Sequence, residues 1–400
     1  MPKQPSHASD LRGFSKMTID AIVGIADLVE AVHMNILDQV AKFGVPVREP
    51  LSGAAALIYR SVRGITRWVG GGIDFALERL TPVLGKGSTW PGRESLLAAL
   101  NGVLGDYLVA RSNPLAIAMA FRRAGQPLKL EKPALAAAFP AANGRILVLA
   151  HGLCMNDLEW SRNGHDHGAA LARDRGYTPL YLHYNSGLHI STNGRLFAQQ
   201  LETLLQEWPI AVEELAILGH SMGGLVARSA YRYGATAKMR WTKCVSKLVF
   251  LGTPHHGAPL ERGGNWFHLL TDVSPYTAPF SNLGKIRSAG ITDLRYGNLL
   301  DTDWENVDRF AHVGDLRTPV PLPAKVPCFA LAATTGKQAG DISDRLLGDG
   351  LVPLESALGR HANPSLNLEF APDRQWIGYG INHLDLLSRP EVYQQLLQWL

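Results

Sequence analysis

A chain of 400 residues, 46% hydrophobic and 18% charged, has apolar material for a sizeable core and exceeds the commonest single-domain length. One domain of about 250 residues plus a smaller unit is the expectation, and 40 Gly and 24 Pro without any repeat exclude collagen-like, low-complexity and solenoid architectures. The net charge of +4 is uneven: residues 1–140 carry 16 Lys/Arg against 11 Asp/Glu and residues 141–400 carry 23 against 24, which implies two parts with different roles and is too small an excess for nucleic acid as a partner.

Chain order begins with an amphipathic helix expected over Thr18–Val40, where Ile19, Ile22, Val23, Ala26 and Val29 share one face. A second helical pattern runs from Ala54 to Leu80 and is weakened by Gly64 and Gly70-Gly71-Gly72. On it Arg60, Arg63 and Arg67 form a basic stripe beside Trp68. That stripe fits two uses: an exposed face of a packed helical hairpin, or peripheral contact of residues 1–140 with a membrane surface. Helices are expected next over Glu94–Ala110 and Leu115–Ala124, then a proline-rich linker from Gln126 to Asn143.

From Arg145 the pattern changes. Ile146–Ala150, Leu180–Tyr184, Leu215–Leu218, Leu248–Leu251 and Cys328–Ala332 read as buried strands, with helices such as Asn193–Glu207 and Gly223–Tyr233 between them. Strands alternating with helices predict a mostly parallel sheet covered on both faces, with ligand chemistry at the carboxyl ends of its strands. Three widely spaced cysteines, Cys154, Cys244 and Cys328, argue for reduced thiols in a cytoplasm-like compartment rather than a disulfide or zinc framework. Neither a signal peptide nor a transmembrane helix is expected.

The chemistry is concentrated in Leu215-Ala-Ile-Leu-Gly-His-Ser-Met-Gly-Gly. A G-x-S-x-G run between a strand and a helix is a nucleophile elbow: the turn is so tight that only glycine fits at 219 and 223, and Ser221 projects above the sheet. His151-Gly152-Leu153, closing the first buried strand, supplies a loop whose Leu153 N–H, with that of Met222, would form an oxyanion hole. In that loop His151 is a positioning residue. A serine hydroxyl needs a histidine base and an orienting carboxylate. Asp349, in Leu347-Gly-Asp-Gly-Leu-Val-Pro353, is the acid, with Asp344 and Asp341 as alternatives. His383, expected to open the last helix, is the base, leaving room for one more strand around Leu366–Phe370. His361 reads as a surface residue, and His255 and His256 as lining the site without acting as base.

GHSMGG, HGL, GTPHHG, GDGLVP and NHLD, in this order, resemble the α/β-hydrolase superfamily, and within it bacterial lipases and the hydrolase domain of GPI inositol-deacylase-like proteins. The resemblance covers residues 145–400. Residues 1–140 read from their own pattern as a helical N-terminal region, and the aromatic-rich residues 257–327 as an insertion forming either a cap over an acyl pocket or a helical excursion on the sheet edge; the resemblance implies an α/β-hydrolase fold over 141–400. It also implies a Ser221–His383–Asp349 triad cleaving carboxylic esters of lipid-like or apolar acyl groups without a cofactor. An acyltransferase or thioesterase would use the same triad, and a lipid-surface binding module with a lapsed site is the non-enzymatic alternative. Similar lipases often hold a structural calcium near the histidine loop, where Asp385 would fall. No second ligand is identifiable, so no metal is expected and Asp385 reads as an ordinary early-helix acid.

Overall fold

Six parallel strands form the body of the protein: β3 (Arg145–Ala150), β4 (Thr178–His183), β5 (Glu214–His220), β6 (Val245–Leu251), β7 (Cys328–Thr334) and β8 (Gln375–Tyr379). The structure is a computed structural model that describes residues 77–78, 80–82, 84–85, 92–258, 288–305, 314–338 and 348–400. Two short strands, β1 (Ala120–Arg123) and β2 (Gln126–Pro127), extend the sheet antiparallel, giving the order β2-β1-β4-β3-β5-β6-β7-β8. Almost every residue of β3, β5 and β7 is buried, which requires cover on both faces and explains their continuous apolar runs. Strand order reverses at β3, which has β4 on one side and β5 on the other. The crevice beyond the carboxyl ends of β3 and β5 is therefore the topological switch point, where ligands bind in such sheets.

The helices are α1 (Arg93–Ala110), α2 (Lys132–Ala138), α3 (His167–Arg175), α4 (Ile190–Glu207), α5 (Met222–Thr236), α6 (Ala289–Asp293), α7 (Leu354–Ala357) and α8 (Pro390–Trp399). Phe197, Ala198, Leu201 and Leu204 place one buried stripe along α4. Among the described residues no helix is long and apolar enough to cross a membrane, and all three cysteines are free thiols.

Residues before 141 take part in this core. The helix expected over Leu115–Ala124 is strand β1 instead, because tertiary partners outweigh local pattern. Phe121 is fully buried edge-on against Phe197, and Arg122 bonds Glu94 at 2.7 Å and Asp157 at 3.1 Å. The supposed linker holds β2 and α2, so the sheet starts upstream of the boundary expected at 140/141, within the stretch expected to be helical throughout. Helix α1 matches its expected span and lies over the loops after β3 and β4, a Cβ on Gly102 meeting Cys154 and Asn185 Nδ2 donating to Gly105 O at 3.1 Å; it also holds the start of α6, where Ser288 Oγ donates to Gly102 O at 2.6 Å. Leu77 and Leu80, at the end of the Ala54–Leu80 pattern, are helical and fully buried. The Thr18–Val40 pattern and the Arg60–Arg63–Arg67 stripe lie outside the described residues.

Further along, no strand forms at Leu366–Phe370. Pro364–Leu366 is a 3-10 turn, and the strand is β8, whose QWIGY sequence carries neither an apolar run nor an alternation. Of the expected 257–327 insertion, residues 259–287 and 306–313 lie outside the described residues. The described part is anchored by Asp293, which accepts from Ile190 N at 2.8 Å and pairs with His189 at 3.0 Å, the His189 ring stacking on Trp304 at 3.8 Å.

Candidate active site

Ser221 sits between the last residue of β5 and the first of α5, with φ 54° and ψ −126°. A non-glycine residue there is strained, and such strain persists only where the surroundings impose it. Here they do so through both neighbouring strands. Ser221 N donates to Leu251 O at 2.8 Å and Ser221 O accepts from Gly224 N at 3.0 Å. A Cβ on Gly219 would lie 2.5 Å from Gly224 Cα, and one on Gly223 would meet Ala150 O and lie 2.6 Å from His151 O. Both glycines are thus required by backbone contacts that cannot yield, in the way the sequence pattern predicts.

The loop after β3 runs alongside the serine. A Cβ on Gly152 would lie 3.1 Å from Ser221 Cβ, which puts the 151–153 backbone beside the start of α5. Met222 is the first residue of that helix, so its N–H has no intrahelical acceptor. His151 holds this loop. Its ring stacks on Tyr184 at 4.3 Å, its Nδ1–H donates to Gly152 O at 2.8 Å, and the Tyr184 hydroxyl donates to His151 O at 2.7 Å. Complete burial lowers the His151 pKa to about 4, so the ring is neutral and orients the chain.

Across the crevice, His383 Nδ1 and Asp349 Oδ2 are 2.6 Å apart, both residues 3% exposed or less. Asp349 Oδ1 accepts from Leu351 N at 3.0 Å and Val352 N at 2.8 Å, and His383 N donates to Asp349 O at 3.0 Å. The carboxylate is thereby fixed in rotation, with one oxygen left for the ring. His383 lies in a turn ahead of the 3-10 segment Asp385–Leu387, and the last helix starts only at Pro390, a correction to the expected helix start: Asn382 caps the turn through Leu384 N and Asp385 N.

Two contacts tie this pair to the elbow. His220 Nε2 donates to His383 O at 3.1 Å with the rings 4.7 Å apart, and a Cβ on Gly252, next after β6, would lie 3.1 Å from Asp349 Oδ2 and 3.2 Å from His383 Cε1. His220 was not singled out by sequence reasoning, although its place inside G-H-S-M-G is the signal. Burial holds its pKa well below the usual histidine value, so it acts as a neutral donor.

The remaining candidates lie elsewhere. His361 sits 3.6 Å from Asp315 and 5.0 Å from the His256 ring. His255 and His256 bond Arg228 and Arg317. Asp341 and Asp344 lie outside the described residues. Asp385 Oδ2 accepts from Asn382 N at 3.3 Å, and among the described residues no group of three or more His, Cys, Asp or Glu could hold a metal ion.

A serine on a left-handed turn between the central strand and its helix, preceded by a histidine bonded to a buried histidine–carboxylate pair, at the switch point of a largely parallel sheet, decides the architecture. The fold is that of the α/β hydrolases. Residues 144–319 match the profile of the PGAP1-like alpha/beta domain, a span that takes in Leu153 and Ser221 and ends before Asp349. No curated protein matches the chain significantly. Among solved structures it is similar to the mature Bacillus licheniformis lipase BlEst2, with 17% identity over 70% of this chain and 97% of that one and a TM-score of 0.40. It is also similar to a lipase-esterase related protein from Clostridium acetobutylicum, 13% identical over 64% and 95% of the two chains with a TM-score of 0.36. A Pyrobaculum calidifontis esterase is 13% identical over 64% and 74%, with a TM-score of 0.37.

Proposed function

We propose that the protein is a serine hydrolase of carboxylic esters with apolar acyl groups. The observation that carries the reading is the strained Ser221 at the end of β5, linked through His220 and the Gly252 backbone to the buried His383–Asp349 pair. Asp349, bonded to Nδ1, holds the ring proton there and leaves Nε2 free to accept. Nε2 of His383 removes the Ser221 proton as Oγ attacks the ester carbonyl, and the N–H groups of Leu153 and Met222 take the negative charge that develops on the carbonyl oxygen. The same ring then protonates the departing alcohol. Water, deprotonated by His383 in turn, releases the acid and restores the serine. Nothing in this sequence of steps calls for a cofactor. The apolar preference is supported by Leu153, Met155 and Met222, which are buried on the loop and helix beside the serine.

The reading is tested with p-nitrophenyl esters of graded acyl length, comparing wild type with Ser221→Ala. Loss of at least about 10³-fold in kcat is expected on every ester that the wild type cleaves. Equal rates for the two proteins at every chain length would remove the assignment.

A further inference from the structure

Two turns along α5 from Ser221, about 10 Å by helix geometry, Arg228 is only 6% exposed. Its Nη1 donates to His255 Nδ1 at 3.2 Å and its Nη2 to Val320 O at 2.5 Å, while Nε has no hydrogen-bond partner. No carboxylate among the described residues pairs with it. The cation facing it is Arg317, which has a counter-charge of its own in Asp315 at 3.2 Å, with Asp303 acting on it as well. Cys328 also faces Arg228, but burial pushes that thiol up to about 12 and keeps it neutral. Desolvation and the neighbouring Arg317 lower the Arg228 pKa to about 9, so it stays cationic at neutral pH. Among the described residues Arg228 thus has no carboxylate directly against it, and a buried cation without a direct counter-ion is costly unless something compensates it.

The hydrogen bonds have the same imbalance. Because a guanidinium only donates, Arg228 fixes His255 Nδ1 as the acceptor and puts the ring proton on Nε2. Arg317 Nη2, 2.8 Å from His256 Nδ1, does the same to His256. His255 Nε2, Arg228 Nε and Arg317 Nε are buried without an acceptor, although buried polar groups are as a rule satisfied, while His256 has the Gly359 backbone as a hydrogen-bond partner. All four side chains line one partly open cavity of about 20 Å³, with Leu299, Val320 and Leu366 on its apolar side. That is room for a single small occupant. The Val320 and His255 carbonyls already accept from Arg228 and Arg317. A water there would accept at most two donors and would need acceptors for its own protons, whereas an anion only accepts and sets a negative charge directly against Arg228.

We propose that this cavity is a binding site for a small monovalent anion of chloride size. The ion joins three segments, α5 behind the serine, the loop after β6 and residues 317–320 of the insertion, so that it fastens the insertion to the helix carrying Ser221. The proposal stands independently of the hydrolase reading, since its tests measure binding and not turnover.

Thermal unfolding of the full chain is followed while sodium chloride replaces sodium gluconate at constant ionic strength. Above the dissociation constant the wild-type Tm is expected to rise by roughly 2 °C per tenfold increase in chloride. Arg228→Met removes that slope, and Arg232→Met, at an exposed position of the same helix, retains it. No slope in the wild type, or equal slopes in all three proteins, overturns the proposal. Should Arg228→Met fail to fold, bromide-soaked crystals of the wild type decide: an anomalous peak within hydrogen-bonding reach of Arg228 is expected, and water alone at that position overturns the site.

Discussion

Replacing Asp349 by Asn should lower kcat by about 10³- to 10⁴-fold without unfolding the protein. The magnitude follows from how the carboxylate is held. Its Oδ1 accepts from Leu351 N and Val352 N, at 3.0 and 2.8 Å, so an asparagine keeps its carbonyl oxygen there, because its amide group would face two donors. The NH₂ then occupies the place of Oδ2, 2.6 Å from His383 Nδ1 in the native pair. A donor at that place turns Nδ1 into an acceptor and drives the ring proton to Nε2, the atom that has to receive the Ser221 proton. The ring stays in position in the wrong tautomer, which amounts to about 4–5.5 kcal/mol of lost transition-state stabilisation. The assay is kcat on p-nitrophenyl butyrate alongside Tm for both proteins. A variant that keeps its Tm and loses less than tenfold in kcat would refute the orienting role of Asp349.

Gly223→Ala should cost about 2–3 kcal/mol, read as a lower urea midpoint, because the new Cβ meets the Ala150 and His151 carbonyl oxygens; an unchanged midpoint would contradict the steric account of the elbow. Asp293→Ala should cost about 2–3 kcal/mol in the same measurement, since His189 Nδ1 and Ile190 N lose their acceptor, and a wild-type midpoint would show that this anchor contributes nothing. Acid sensitivity should come from buried imidazoles: burial lowers His151, His167 and His256 to about 4, and His183, His220 and His255 well below the usual value. Between about pH 6.5 and 4 the unfolded chain binds more protons than the folded one, so this stability is full above pH 6.5 and is lost as pH falls toward 4. The urea midpoint should drop steadily from pH 7.5 to 5, and a flat profile would mean that these rings do not stay neutral in the fold.

What the sequence reveals of this protein depends on whether a residue's constraint is local. Gly219, Ser221 and Gly223 are legible because the turn between β5 and α5 tolerates nothing else, and β3, β5 and β7 are legible because strands buried on both faces must be apolar throughout. Strand β1 was hidden because its place in the sheet depends on pairing with β4 and on Phe197 and Asp157, residues distant in sequence. Strand β8 was hidden because an edge strand buries little and shows no period. At the candidate site the residue types were readable, but the bracing was not: His220 reaching His383 O, and Asp349 held by its own loop, are matters of three-dimensional approach. Arg228 is the extreme case, a cation within an apolar helical pattern whose lack of a carboxylate partner among the described residues becomes visible only when α5, the loop after β6 and residues 317–320 are seen together.

The central claim is that Ser221 is a nucleophile activated by its surroundings, and covalent trapping tests it directly. After incubation with a fluorophosphonate, intact-protein and peptide mass spectrometry should find one phosphonate per chain, attached to Ser221. His383→Ala should slow its formation by at least about 10²-fold. Labelling elsewhere, or equal labelling of wild type and Ser221→Ala, would contradict the account.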